Sequence, residues 1–167
     1  MRQALTSLLV AGLAVAGVQI AHTQAPPPAT HTNAQPAAIP MPAPQVLLML
    51  VRSTLVALNQ ANFTGNYSVL HALGTPRLQA TVTPVELGIA FTELRSQNLD
   101  LSPVLLLSPA LSEPASFTPD GALRLAGEFG TSPAKIAFVT VFMPVDGIWR
   151  LDALSVQALP VAAIRKP

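Results

Sequence analysis

Tyr67 and His71 stand four residues apart, a spacing that puts both side chains on one face of a helix. A phenol and an imidazole held this way are the one pair in the chain able to share acid–base work on a small molecule. Such work needs further partners, and a histidine at a helix surface or at a core edge is the commoner account of the pair. No catalytic residue is therefore assigned; Tyr67, His71 and Trp149 are read as candidate ligand-binding residues. The carboxylates offer less. Strand alternation puts Glu128 on the face of Arg124, opposite the leucines, and Asp152 on the face of Arg150. Both faces point to solvent or to a partner. His22 and His31 lie far from His71 in the amino-terminal stretch, so no metal site is expected. There is no nucleophile elbow, no zinc-protease motif, no phosphate-binding loop and no dinucleotide fingerprint, and no cofactor is expected.

Composition removes whole classes. The chain has no cysteine, hence no disulfide, no zinc–thiolate centre and no thiol nucleophile. Nine Lys+Arg against eight Asp+Glu make no field for a nucleic acid. The 167 residues suit one ordinary domain once targeting and tail segments are subtracted.

Those segments are legible. Arg2 precedes an uncharged apolar run from Ala4 to Ala21, then small residues and Pro26-Pro27-Pro28, the layout of a secretory signal peptide over 1–25. Ala14-Val15-Ala16 and Thr23-Gln24-Ala25 are the two candidate cleavage sites. The run is marginal for a bilayer span of about 20 residues, so no membrane span is expected after cleavage. A bacterial periplasmic or secreted location is the resulting expectation. Residues 26–44 are rich in Pro and Ala and carry no charge, which predicts a disordered tether; 160–167 reads as a frayed tail. The folded part, 45–159, holds six Lys+Arg and eight Asp+Glu, a net of 6 − 8 = −2.

Three elements must then position Tyr67 and His71. Leu47, Leu48, Val51, Leu55 and Leu58 form one helical stripe over 45–58, ended by Asn59-Gln60, in a segment apolar enough to be buried on most sides. A second helix is expected over 65–73, capped by Thr64, with Pro76 barring continuation. Thr83-Pro84-Val85-Glu86 is a capping box that opens a third, with Leu87, Phe91 and Leu94 inward and Glu86, Glu93 and Arg95 outward. Gly88 inside that helix costs about 1 kcal/mol against alanine and marks a close backbone contact.

After Asn98 the period becomes two. Leu99 to Ser102 alternates like a short strand, and Val104 to Leu107 reads as a buried strand or a turn. Leu123 to Phe129 alternates, and Lys135 to Met143 is apolar on both faces, the pattern of a central strand covered on both sides. Asp146-Gly147 turns the chain into a final strand. There Trp149 and Leu151 are in odd phase, Leu154 and Val156 in even phase, which predicts a bulge near Ala153. The fold class is α+β: three amino-terminal helices packed on a curved antiparallel sheet of about four to six strands.

The run FVTVFMPVDGIWRLDALSV over 138–156, with ALNQANF over 57–63, resembles the nuclear-transport-factor-2-like superfamily, close to its uncharacterised exported bacterial members. The resemblance spans 45–157 and implies a cone-shaped, cystatin-like domain with a pocket between sheet and helices. It further implies a tryptophan packed between the two layers, and self-association through the sheet. Enzymes of the superfamily use a carboxylate base on the sheet or a histidine–tyrosine pair. No carboxylate here maps onto that base. The expectation is an exported, non-enzymatic domain binding a small apolar ligand or a protein partner, and forming a homodimer through the sheet. An isomerase or hydro-lyase using Tyr67 and His71, or a structural envelope component, are the alternatives.

Overall fold

A computed structural model describes residues 39–160 of the protein. The segment expected to be a signal peptide, most of the expected tether and residues 161–167 lie outside the described residues. Five helical segments come first: α1 (Pro44–Thr64), α2 (Ser68–Ala72), α3 (Pro76–Thr81), α4 (Pro84–Ala90) and α5 (Thr92–Ser96). A 3-10 turn at Ser102–Leu105 leads into β1 (Ala110–Leu111), β2 (Ser116–Phe117), β3 (Leu123–Phe129), β4 (Ala134–Val145) and β5 (Ile148–Pro160). The fold class is α+β, with an open antiparallel sheet of five strands ordered β1-β3-β4-β5 and β2 beside β3.

The helices number five where three were expected, for identifiable reasons. Pro44 opens α1 at its first turn, but the helix runs past Asn59 to Thr64 and stops only where Gly65 turns left-handed (φ 71) and donates to Ala61 O at 2.8 Å. Thr64 therefore ends α1; it does not cap α2. Pro76 starts α3: Thr75 Oγ1 accepts from the Leu78 amide at 3.1 Å, so Thr-Pro works here as it does at Thr83-Pro84. The capping box at α4 forms as expected, with the Thr83 amide donating to Glu86 Oε2 at 2.7 Å and the Glu86 amide to Thr83 Oγ1 at 3.2 Å. The third expected helix breaks at Phe91 (φ −100, ψ 17), which separates α4 from α5.

The short strand expected at Leu99–Ser102 is absent. Buried Asn59 takes the backbone donor there: its Oδ1 accepts from the Leu101 amide at 2.9 Å, and its Nδ2 donates to Asp100 and to Ser102 Oγ. Arg52 secures the 3-10 turn and its exit, donating to Val104 O at 2.9 Å and to Leu107 O at 2.7 Å.

Register assigns the sheet faces. Leu123, Leu125 and Phe129 share the inner face with Ile136, Phe138, Thr140 and Phe142, and with Leu151, Leu154 and Val156. This face and the α1 stripe of Val51, Leu55 and Leu58 make the core, joined by Leu70, Leu87 and Leu94. Burying each such side chain contributes about 1.5–3 kcal/mol. β4 is central in order but covered on one side only; Ala137, Val139, Val141 and Met143 are half-buried on the outer face. α1 is likewise buried along one stripe, with Met49 exposed, although by length and hydropathy it is the one described helix able to cross a bilayer. Arg124 and Glu128 share the outer face as expected, and each pairs there with a residue that alternation alone does not pick out, Arg124 with Glu113 and Glu128 with Lys135 at 2.6 Å.

The bulge falls where the phase change put it. Val141 pairs with Ala153 and Phe142 with Leu151, so Asp152 is the extra residue. It does not share the polar face of Arg150. The bulge turns its carboxylate into the protein, where it accepts from Thr75 Oγ1 at 2.8 Å and from Arg77 Nε at 3.2 Å, pairing also with Arg77 Nη2. That hydrogen bond, and the carboxylate's charge, raise the Arg77 pKa above its ordinary value. Beside it Leu151 exchanges two backbone hydrogen bonds with Leu73 and Thr75. Bulge and bridge together fix the α2–α3 turn to the sheet.

Candidate functional site

The helical end of the molecule holds the most developed polar cluster, and Tyr67 is its centre. Gly65 ends α1, Asn66 Oδ1 accepts from the Ser68 amide at 3.0 Å, and this tight turn aims Tyr67 back under α4 and α5. The ring is 2% exposed and stacks parallel on Phe91 with centroids 6.4 Å apart. Its hydroxyl donates to Asn62 Oδ1 at 2.6 Å and accepts from Arg95 Nη1 at 2.9 Å. Arg95 Nη2 reaches Thr92 Oγ1 at 3.4 Å, and its Cζ lies 5.9 Å from the Tyr67 ring centroid. Above this cluster opens a cavity of about 570 Å³, lined by Thr64, Ser68, Val85, Gly88, Ile89 and Arg95 among others.

Gly88 explains how the cluster fits. A Cβ there would lie 3.3 Å from Tyr67 Cε2 and 3.9 Å from Arg95 Nη1. The close contact read from the glycine is thus a contact with the site itself.

The electrostatics are one-sided. Among the described residues Arg95 has no carboxylate within ion-pair distance, a trait it shares with Arg52 and Arg150, which bond to backbone carbonyls, whereas Arg77, Arg124 and Lys135 each have one. Asn62 Nδ2 is buried with no partner, a further unused donor beside the phenol. Val85 and Ile89 stay exposed at the cavity's edge. Asn62 does not line the cavity, and the cation with its adjoining apolar rim is what is complementary to an acid with an apolar body.

His71 goes elsewhere. It sits in the last turn of α2, its Nε2 3.3 Å from Gln79 O on α3, and it does not line the Tyr67 cavity. The expected shared helix face is not formed: Tyr67 precedes α2 as its N-cap residue, His71 lies within α2, and the two side chains share no hydrogen-bond partner. Trp149 is half-buried at the start of β5 and stacks on Phe117, centroids 6.3 Å apart. The cavity therefore gathers one of the three candidate residues. No family model, curated protein or solved structure matches this chain.

Tyr67 has its proton committed to an amide oxygen and its lone pair to a guanidinium, so neither neighbour can relay a proton at neutral pH. The arrangement holds a cation in place. Helical spacing alone puts Arg95 on the outward face and gives it no role. The spacing of acidic residues gives no signal either: like Arg95, Arg52 and Arg77 have none three or four positions away, yet Arg77 pairs with Asp152 from another element.

Two further concavities lie on the sheet: a trough of about 410 Å³ on the outer face, between β1 and the Ser155–Gln157 region, and a cleft of about 500 Å³ between the free edge of β5 and α4–α5.

Proposed function

We propose that this protein is an exported, non-enzymatic binding domain of the cone-shaped, nuclear-transport-factor-2-like type, and that it holds a small amphiphilic acid against Arg95 in the Tyr67 cavity. The observation that carries the reading is the half-buried Arg95 guanidinium, fixed by Tyr67 and Thr92 and lacking a carboxylate among the described residues. Export rests on the run from Arg2 to Ala21. The apolar ligand expected from sequence acquires an acidic head, because this is the part of the cavity that supplies charge. The aliphatic body lies along Val85 and Ile89, whose exposure otherwise has no offsetting contact. The space between sheet and helices is occupied by Leu55, Leu58, Phe129 and Ile136, all 0% exposed, which favours a site at the rim over one at the centre.

Octanoate is the probe, with octanol as the neutral control. Titration of the ¹⁵N-labelled protein should give saturable shifts at the Gly88, Ile89 and Arg95 amides with octanoate. Arg95→Gln should weaken binding about tenfold to a hundredfold, the worth of a charge-assisted hydrogen bond. Equal response to octanol, or an unchanged affinity in Arg95→Gln, would overturn the reading.

A further inference from the structure

We propose that the exposed pair Leu105-Leu106 and the amino-terminal half of α1 form a membrane-contact surface, which seats the exported domain on a neutral, zwitterionic lipid bilayer. The inference is independent of the ligand reading, because the Tyr67 cavity opens at the opposite end of α1, around Thr64 and Gly65.

The stretch SPVLLLSP over 102–109 sets four apolar residues between two prolines. The structure divides them. Val104 is 0% exposed and Leu107 packs against the core, whereas Leu105 is 53% and Leu106 89% exposed. That exposure is held in place. Arg52 donates to Val104 O at 2.9 Å and to Leu107 O at 2.7 Å, and so grips the backbone on both sides of the pair. Arg52 is also the only charged residue of α1, so the one cation beside the leucines is committed to holding them out. Leu48, Met49 and Val56 line a groove of about 550 Å³ against Leu105. On the other flank of Leu48 an apolar hollow of about 190 Å³ reaches the exposed Leu111. The nearest carboxylate of the turn, Asp100, is bonded to Asn59, about 10 Å along α1 from Arg52.

A soluble domain rarely leaves so continuous an apolar surface bare. Its shape favours a fluid cover: two leucines project from a fixed turn, and the hollows beside them are of a kind that acyl chains fill. Its charge selects a neutral one, since no free basic side chain is present to attract anionic headgroups and the apolar contribution stands alone. The course of the chain points the same way. Residues 22–38 join the apolar run ending at Ala21 to Ile39 and Met41, both exposed, which lead into the end of α1 that carries the patch. On the proposed export route that run brings this end of the domain to the bilayer, and the patch retains it there after cleavage. The level of Asp100 limits insertion to about 5–10 Å, the depth of an interfacial contact.

The test uses the protein purified after export and vesicles of phosphatidylcholine. Co-sedimentation should be saturable, and neither added phosphatidylglycerol nor about 1 M salt should change it. Leu105→Glu/Leu106→Glu should weaken binding about tenfold or more. Ile148→Glu, a similarly exposed residue in the β4–β5 turn, should bind like the wild type. The chain has no cysteine, so one introduced thiol carries one fluorophore. An environment-sensitive label on Leu106→Cys should shift to the blue when vesicles are added, and the same label on Ile148→Cys should not. Absence of co-sedimentation, binding that needs anionic lipid, a silent label at 106, or a glutamate variant that binds like the wild type overturns the inference. A dimer on size exclusion that the glutamates dissolve does so equally, by assigning the patch to a second copy.

Discussion

Replacing Gly88 by alanine sets two effects of known size against each other. Alanine in a helix interior is favoured over glycine by about 1 kcal/mol. The new methyl, however, lies 3.3 Å from Tyr67 Cε2, so the ring must yield by a few tenths of an ångström. It has little freedom to do so: the face is stacked on Phe91, and the hydroxyl is held by Asn62 at 2.6 Å and Arg95 at 2.9 Å. Overpacking in a closed site costs about 1–3 kcal/mol, so the contact outweighs the propensity and Gly88→Ala is expected to lose about 1 kcal/mol. For a domain of this size that lowers Tm by about 4 °C, measurable by calorimetry alongside urea unfolding. Tyr67→Phe frees the ring from both hydrogen bonds, and in that background Gly88→Ala should regain about 1 kcal/mol. A Gly88→Ala protein more stable by the full propensity, or a cost that Tyr67→Phe leaves unchanged, would refute the reasoning.

Thr75→Ala removes both the α3 cap and a buried donor to Asp152, and should destabilise the protein by about 1–3 kcal/mol in urea unfolding. Stability should also fall in acid. Glu86 lies below its ordinary 4.5 because it accepts from the Thr83 amide and hydroxyl, and Asp100 lies below 3.8 through the Ser102 hydroxyl and amide. The unfolded chain then takes up protons first, so this stabilisation is complete above those ordinary values and is lost as pH falls through the lowered folded ones. Tm should be flat from neutral down to about pH 5 and drop below it, less steeply in Glu86→Gln.

How much could be read from the chain divides by the range of the interaction. Features set by neighbours in sequence were legible: the Thr83–Glu86 cap, the Asp146-Gly147 turn (φ 51 and 77), and the bulge announced by the phase change between Leu151 and Leu154. Thr75-Pro76 carries the same cap-and-proline signal as Thr83-Pro84, and expecting Pro76 to act as a stop obscured it. Other features depended on residues about forty or more positions away. Asn59 capturing the Leu101 amide removed a strand that alternation alone predicts. Alternation misplaces Asp152 because it carries through a bulge as though no residue were extra, so the carboxylate that clamps Thr75 and Arg77 reads as solvent-facing. At the candidate site, the chemistry of Tyr67 is legible in the chain, whereas Arg95 is not, because what marks it is the lack of a carboxylate among the described residues.

The extra residue at Asp152 also makes β5 two strands in phase terms, joined by a single position. Side chains alternate with a period of two, and the bulge absorbs one surplus residue, so that Leu151 and Leu154, three apart in sequence, both face inward. Deleting Asp152 would leave those two leucines two positions apart and close the bulge into regular pairing, with Leu154 and Val156 still inward and Ser155 and Gln157 still outward. What such a deletion would take away is the carboxylate that holds Thr75 and Arg77. The surplus position thus serves the α2–α3 turn, and the faces of the sheet would survive its loss.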